Sequence, residues 1–265
     1  MFVLSHHFLF VLLDKLPRII PSHLFHKSYL WVDLFFVLSG FVLAYVYHGR
    51  IRNAVGKQDY YRFMWKRFAR IYPLHFFVLG LFVVLAFIEW WLVGATNSGA
   101  HAAAPFSTSE EYIQLFTNLF LLQTLHWQAY LNQTAWSISA EWHIYFTIPW
   151  QIAFFYVASE RAMWLTAIIV LAVLSGIESY FGTLGLDYAG WPMLLRCFGE
   201  AALGVIAYQC YRQGYFQFVA DGKWALLALI VNGLILALPI PGVISVIGFF
   251  WMVLCAARVP ELKGC

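Results

Sequence analysis

The sequence predicts an all-α, polytopic transmembrane helical bundle of about eight or nine hydrophobic segments, with residues 1–265 forming a single integral membrane domain. Three observations carry this reading. Hydrophobic residues make up 62% of the chain and charged residues 11%, against about 25% charged in an ordinary soluble domain. So few charges cannot cover a 30.5 kDa surface in water, whereas a lipid-facing surface needs no such cover. The same composition excludes disorder and fibrous repeats. Second, apolar runs near the ~20 residues needed to cross a bilayer recur along the chain. Third, ten of the sixteen Lys and Arg residues fall in the first 70 positions, an asymmetry that signals topology and not a nucleic-acid footprint.

Met1 to Leu13 is an apolar, helix-like run that would rise only about 20 Å. No basic stretch precedes it and no small-residue cleavage site follows it, so it does not read as a signal peptide. The expectation is a first span that begins in mid-helix. The next run covers residues 29–48. Arg50, Arg52, Lys57, Arg62, Lys66, Arg67 and Arg70 then face a single acid, Asp59, which predicts a cytoplasmic loop. Residues 72–93 form the following span. The stretch 94–112 has no Lys or Arg but contains Glu110 and Glu111, and is expected on the opposite side as a flexible connector.

Residues 113–126 are apolar but short, and read as a half-span or a tilted span. If they cross, Arg212, Lys223, Arg258 and Lys263 fall outside; if they do not, all four fall inside, which charge bias prefers. Spans follow at 136–158, 162–181 and 191–211. Residues 224–239 and 243–258 form a hairpin closed by Pro239, Pro241 and Gly242, where proline ends one helix and turns the chain. No repeat at a fixed period is present. Cys197, Cys210, Cys255 and Cys265 show no metal or redox spacing and read as structural. No metal cluster is expected.

Ionisable groups inside spans are costly and are functional candidates by default. His6 and His7 are suited to proton transfer near neutral pH. Adjacent helical positions point about 100° apart, so one at most faces a given site. Asp33 must face the bundle or the interface; it reads either as a partner for a histidine or substrate, or as a helix N-terminal acid satisfied by backbone amides. Glu141, between Trp136 and His143, could orient an imidazole or brace a loop. Arg67 and Arg70 share a helix face and read either as forked phosphate donors or as a basic helix on anionic headgroups. Arg196 and Glu200 lie at the four-residue spacing and neutralise one another.

Four segments, in this order and spacing, resemble acyltransferase family 3, the integral membrane O-acyltransferases. They are Val3-Leu4-Ser5-His6-His7, Trp31-Val32-Asp33-Leu34-Phe35-Phe36-Val37-Leu38-Ser39-Gly40-Phe41, Lys66-Arg67-Phe68-Ala69-Arg70-Ile71-Tyr72-Pro73 and Trp136-Ser137-Ile138-Ser139-Ala140-Glu141-Trp142-His143-Ile144-Tyr145. A fainter match runs from Arg196 to Gly204. The resemblance implies transfer of an acyl group, commonly acetyl, from acyl-coenzyme A to a hydroxyl of a carbohydrate or other cell-envelope acceptor, at the bacterial inner membrane. It implies no bound cofactor, with acyl-CoA as cosubstrate. His6 matches the family's essential histidine, with His7 the alternative. Arg67 and Arg70 match its paired arginines, as acyl-donor-binding residues, and Glu141 its Trp-Ser-x-Ser-x-Glu glutamate; Asp33 joins His6 and Glu141 as a catalytic candidate. Two departures are visible. The family's arginine eleven positions before the histidine would precede Met1, and its last span, with a Gly-x-x-Ser-Tyr-like stretch, would follow Cys265, so the chain reads as truncated at both ends. Two competing readings stand beside this one. A non-catalytic membrane fragment fits the missing ends, and a small-molecule transporter fits intramembrane charge, although the chain lacks the internal symmetry many transporters show.

Overall fold

A computed structural model describes residues 28–51, 55–96, 104–125, 135–181, 190–219 and 222–259. Eight α-helices make up the fold among the described residues: α1 (Trp31–Tyr47), α2 (Lys57–Thr96), α3 (Ser109–Leu119), α4 (Trp136–Val157), α5 (Glu160–Phe181), α6 (Trp191–Arg212), α7 (Gly222–Ala237) and α8 (Gly242–Arg258). Three of them, α2, α5 and α6, are long and apolar enough to cross a membrane; α1, α7 and α8 are apolar but shorter.

The expected loop over the basic stretch is corrected by α2. This helix is 40 residues long and runs through Pro73, so the bases from Lys57 onward sit on the same rod, about 60 Å in length, as the apolar span. Pro73 is exposed, and its missing N–H leaves the Ala69 carbonyl, one turn back, without its helical donor. Only 17% of the apolar window of α2 is buried; its Phe76, Phe77, Leu81, Leu85 and Ile88 side chains point outward, as a lipid-facing surface requires.

Helix α3 takes the half-span option. It begins in a capping box: Thr108 accepts from the Glu111 amide at 3.3 Å, while Glu111 accepts from the Thr108 and Ser107 amides at 3.0 and 2.9 Å. These bonds hold the exposed Glu111 carboxyl below the usual carboxylate range. After 11 residues, about 16 Å, the helix stops at Phe120, and Leu121 turns into the left-handed region with φ 57°. His75 and Tyr72 of α2 hold this end through the carbonyls of Asn118 (2.7 Å) and Leu119 (3.0 Å).

Helix α6 is the centre of the bundle, with 83% of its spanning window buried. Its most extensive contact is with α1, and two glycines make it. A Cβ on Gly40 would lie 2.1 Å from the Ala201 carbonyl oxygen, and one on Gly204 would lie 2.0 Å from that of Val37. Only glycine lets the two backbones come this close. The contacts Asp33 to Arg196, Gly40 to Ala201 and Phe41 to Tyr208 advance together along both helices, so α1 and α6 run parallel. Phe36 meets Trp136, while Tyr47, through Phe63, reaches Tyr145, which sets α4 parallel to α1 as well. The ends of α8 are tied by charges that suit the helix dipoles. Glu178 accepts from the amides of Gly242 and Val243 at 2.6 and 3.2 Å. Arg258 donates to the carbonyls of Cys210 at 3.1 Å and of Tyr215, closing the end of α6.

The shared direction of α1 and α4 means an odd number of crossings lies between them. Helix α2 is one and the segment joining α1 to α2 adds none, so the return from α2 to the start of α4 is made without α3 crossing. Arg50, Lys57, Arg62, Lys66, Arg161, Arg212 and Arg258 therefore gather at one end of the bundle, the inner end by charge bias.

Candidate functional site

The candidate residues form two clusters. One is built around Arg67. Its position on α2 turns it inward, half-buried, whereas Lys66 and Arg70 remain exposed. Its guanidinium carbon lies 5.6 Å from the ring centres of both Tyr47 and Phe63, and 5.7 Å from that of Tyr145. Arg67 Nη2 donates to the Tyr47 hydroxyl at 3.1 Å, and its Nε is buried with no hydrogen-bond partner among the described residues. Tyr145 donates a short hydrogen bond to the Glu141 carboxylate, its neighbour one turn back on α4. Arg70 and Arg67 both act electrostatically on that carboxylate. Three helices thus meet on one cation: α1 through Tyr47, α2 through Phe63 and Arg67, and α4 through Tyr145 and Glu141.

The second cluster is a buried ionic triad. Arg196 Nη2 lies 3.3 Å from Asp33 Oδ1, and Arg196 Nε lies 3.7 Å from Glu200 Oε1. All three side chains are buried, and the guanidinium sits 5.6 Å from the Trp136 ring centre. The expected Arg196–Glu200 neutralisation is present, but Asp33 shares the same cation. Asp33 is therefore ion-paired with a side chain of α6 and not hydrogen-bonded to the amides of its own helix. Two acids against one base leave the cluster one negative charge in excess if both carboxyls ionise.

Fourteen positions of α1 separate Asp33 from Tyr47, about 21 Å along the axis. The structure therefore brings Arg67, Glu141 and, electrostatically, Arg70 together but keeps Asp33 apart from them. His6 and His7 lie outside the described residues. Among the described residues, no group of three His, Cys, Asp or Glu side chains could hold a metal ion.

Sequence reasoning passed over Tyr47 and Tyr145. The four-residue step from Glu141 to Tyr145 is a local signal of a helix-surface pair; the approach of Tyr47 depends on the tertiary fold. The Trp-Ser-x-Ser-x-Glu stretch also gains a physical account. Ser139 Oγ donates to the Leu121 carbonyl at 2.6 Å and exchanges a hydrogen bond with Thr124 Oγ1 at 2.9 Å, pinning the turn after α3 against α4. Gln123 adds a bond of 3.1 Å to the Ala135 carbonyl. The second serine braces a loop, and the glutamate faces the arginine.

Residues 1–262 match the family model described as "Acyltransferase domain". The chain is 31% identical over 149 residues to "Protein 2 in picA locus" of Rhizobium radiobacter, covering 50% of this chain and 76% of that one. It is 32% identical over 150 residues to "Acyltransferase MdmB" of Streptomyces mycarofaciens, covering 54% of this chain and 33% of that protein, about a third of its length. No solved structure matches. With a match spanning nearly its whole length and an all-helical, membrane-type bundle beneath it, the chain belongs to this acyltransferase family.

Proposed function

We propose that the chain transfers an acyl group, acetyl in the simplest case, from acyl-CoA to a hydroxyl of a carbohydrate or other cell-envelope acceptor, as a multi-pass protein of the bacterial inner membrane. The observation that carries the reading is the Arg67 cluster: a caged guanidinium with an unpartnered buried N–H, beside a carboxylate, at the end of the bundle where the bases gather. A coenzyme A thioester is polyanionic at its nucleotide end and neutral at its acyl end. Arg67 and Arg70 would grip phosphate oxygens through forked donors, while the thioester reaches into the bundle.

In the reaction proposed, His6 takes the acceptor hydroxyl proton as the oxygen attacks the thioester carbon. The C–S bond then breaks, and the proton passes to the departing thiolate, so that ester and free thiol are the products. A positioned imidazole contributes about 10²–10⁴-fold to such a step. Glu141 serves as the carboxylate beside the reaction, held by Tyr145. Asp33, held by Arg196, acts from the second cluster. His7 is the alternative base.

The test is transfer of labelled acetyl from acetyl-CoA in membranes at matched protein levels. His6→Ala should abolish transfer while His7→Ala keeps most of it; full activity in His6→Ala removes the assignment, and the reverse pattern moves it to His7. Arg67→Lys and Arg70→Lys keep the charge but lose the fork, so the KM for acetyl-CoA should rise in both. The rise should be larger for Arg67, whose guanidinium plane fits between three rings. Unchanged donor kinetics in both variants leaves only lipid contact for this basic face.

A further inference from the structure

We propose that a second anion subsite, distinct from the Arg67 and Arg70 grip, binds a phosphomonoester on the donor's nucleotide end. A cavity of about 20 Å³ opens beside the Arg67 cluster at the basic end of the bundle. Its apolar lining is Tyr47, Ile51 and Phe63, of which Tyr47 and Phe63 also cage Arg67. Its rim is Arg50, Arg62 and Lys66 against one acid, Asp59, so the rim carries a net two positive charges.

The placement follows from helical spacing. Arg62, Lys66 and Arg70 recur every fourth residue and are all exposed, which makes them one ridge on α2. Arg67 lies on the adjacent, inward face. The ridge is eight residues long, about 12 Å, with the cavity at one end and Arg70 at the other. A single phosphate fills one station. A ligand with two separated phosphate groups fills both, and an adenosine 3′,5′-bisphosphate unit is such a ligand. The cavity has room for about one water, so the phosphate seats at its mouth, across Arg50, Arg62 and Lys66, while Arg67 fixes the Tyr47 hydroxyl. This inference rests on the donor reading above and adds to it a discrimination: the 3′-phosphate is recognised separately from the 5′-diphosphate.

The test separates the subsite from the reaction. Equilibrium binding of adenosine 3′,5′-bisphosphate and of adenosine 5′-monophosphate is measured on the full chain in neutral-lipid nanodiscs, for wild type and for Arg62→Gln/Lys66→Gln. Both substituted residues are exposed, and removing them leaves the buried contacts of α2 in place. Wild type should bind the bisphosphate about tenfold more tightly or better, the scale of a charge-assisted hydrogen bond lost or kept, and the double variant should lose that preference. Acetyl transfer should then distinguish acetyl-CoA from its 3′-dephospho form in wild type and not in the variant. Equal affinity for the two nucleotides, or a preference retained in the double variant, overturns the subsite. If the substitutions change only affinity for vesicles containing anionic lipid, the occupant is a lipid headgroup and the donor subsite is again overturned. Absence of acetyl transfer with nucleotide preference intact counts against the donor reading while leaving the subsite standing.

Discussion

The contact between α1 and α6 makes a prediction whose sign opposes helix propensity. In a helix interior Gly→Ala ordinarily stabilises by about 0.5–1 kcal/mol. Gly80 and Gly176 should obey that rule, because nothing lies within 4 Å of the added methyl. Gly40→Ala should do the reverse. Its methyl would fall 2.1 Å from the Ala201 carbonyl oxygen, where ordinary contact begins at 3.4 Å, and the obstacle is backbone, which cannot swing aside. The helices would have to part by roughly 1 Å, loosening the most extensive interface of the bundle. Overpacking of this kind costs about 1–3 kcal/mol, and a rigid obstacle puts Gly40→Ala at the upper end. At about 2–4 °C per kcal/mol for a chain of this size, the expected loss is roughly 6–12 °C. The measurement is the melting temperature of detergent-solubilised protein, read as the surviving monodisperse fraction after heating. Gly40→Ala melting together with Gly80→Ala would refute the close approach of α1 and α6.

The buried triad predicts an order of damage. Arg196→Leu leaves Asp33 and Glu200 without their cation and should cost about 3–5 kcal/mol, whereas Asp33→Asn leaves a one-to-one pair and should cost clearly less; equal melting temperatures for the two variants would remove the shared cation. The parallel course of α1, α4 and α6 predicts the side of each turn. In intact cells, a membrane-impermeant maleimide should label Pro239→Cys, in the outer turn before α8, and should leave Ser159→Cys, in the inner turn between α4 and α5, at the background of the parent chain. The opposite pattern would invert the topology.

Much of this architecture is legible in the sequence because lipid leaves little choice: every apolar run must become a helix that satisfies its own backbone. The turns at Pro239 and Pro241 and the spans α4 to α8 follow from that rule within a few residues. The start of α2 does not, because a run of Lys and Arg reads as a loop under charge bias although both are good helix formers. Pairing over distance is hidden as well. Arg196 has an obvious neighbour in Glu200, but its closer partner is Asp33, 163 positions earlier, and only the approach permitted by Gly40 and Gly204 brings it there. Spacing was also too coarse for Arg67 and Arg70. Three residues apart means about 60° of rotation around a helix, enough for one to enter a ring cage and the other to stay exposed.

The parallel arrangement of α1, α4 and α6 gives this division a chemical consequence. Because the three helices start at the same end, their polar residues fall into tiers: Asp33, Arg196 and Trp136 near the starts, Tyr47, Glu141 and Tyr145 further inward. A donor bound as proposed above would meet the Arg67 tier first. Along α1, Tyr47 lies about 21 Å inward of Asp33, whereas along α4 Glu141 lies only about 7.5 Å inward of Trp136. Charge is graded in the same sense. The inner tier is rich in guanidinium and ammonium groups that can hold phosphates, and the outer tier's guanidinium, Arg196, is already taken by Asp33 and Glu200. On the donor reading proposed above, a thioester would enter by its neutral end and leave its anionic end at the mouth.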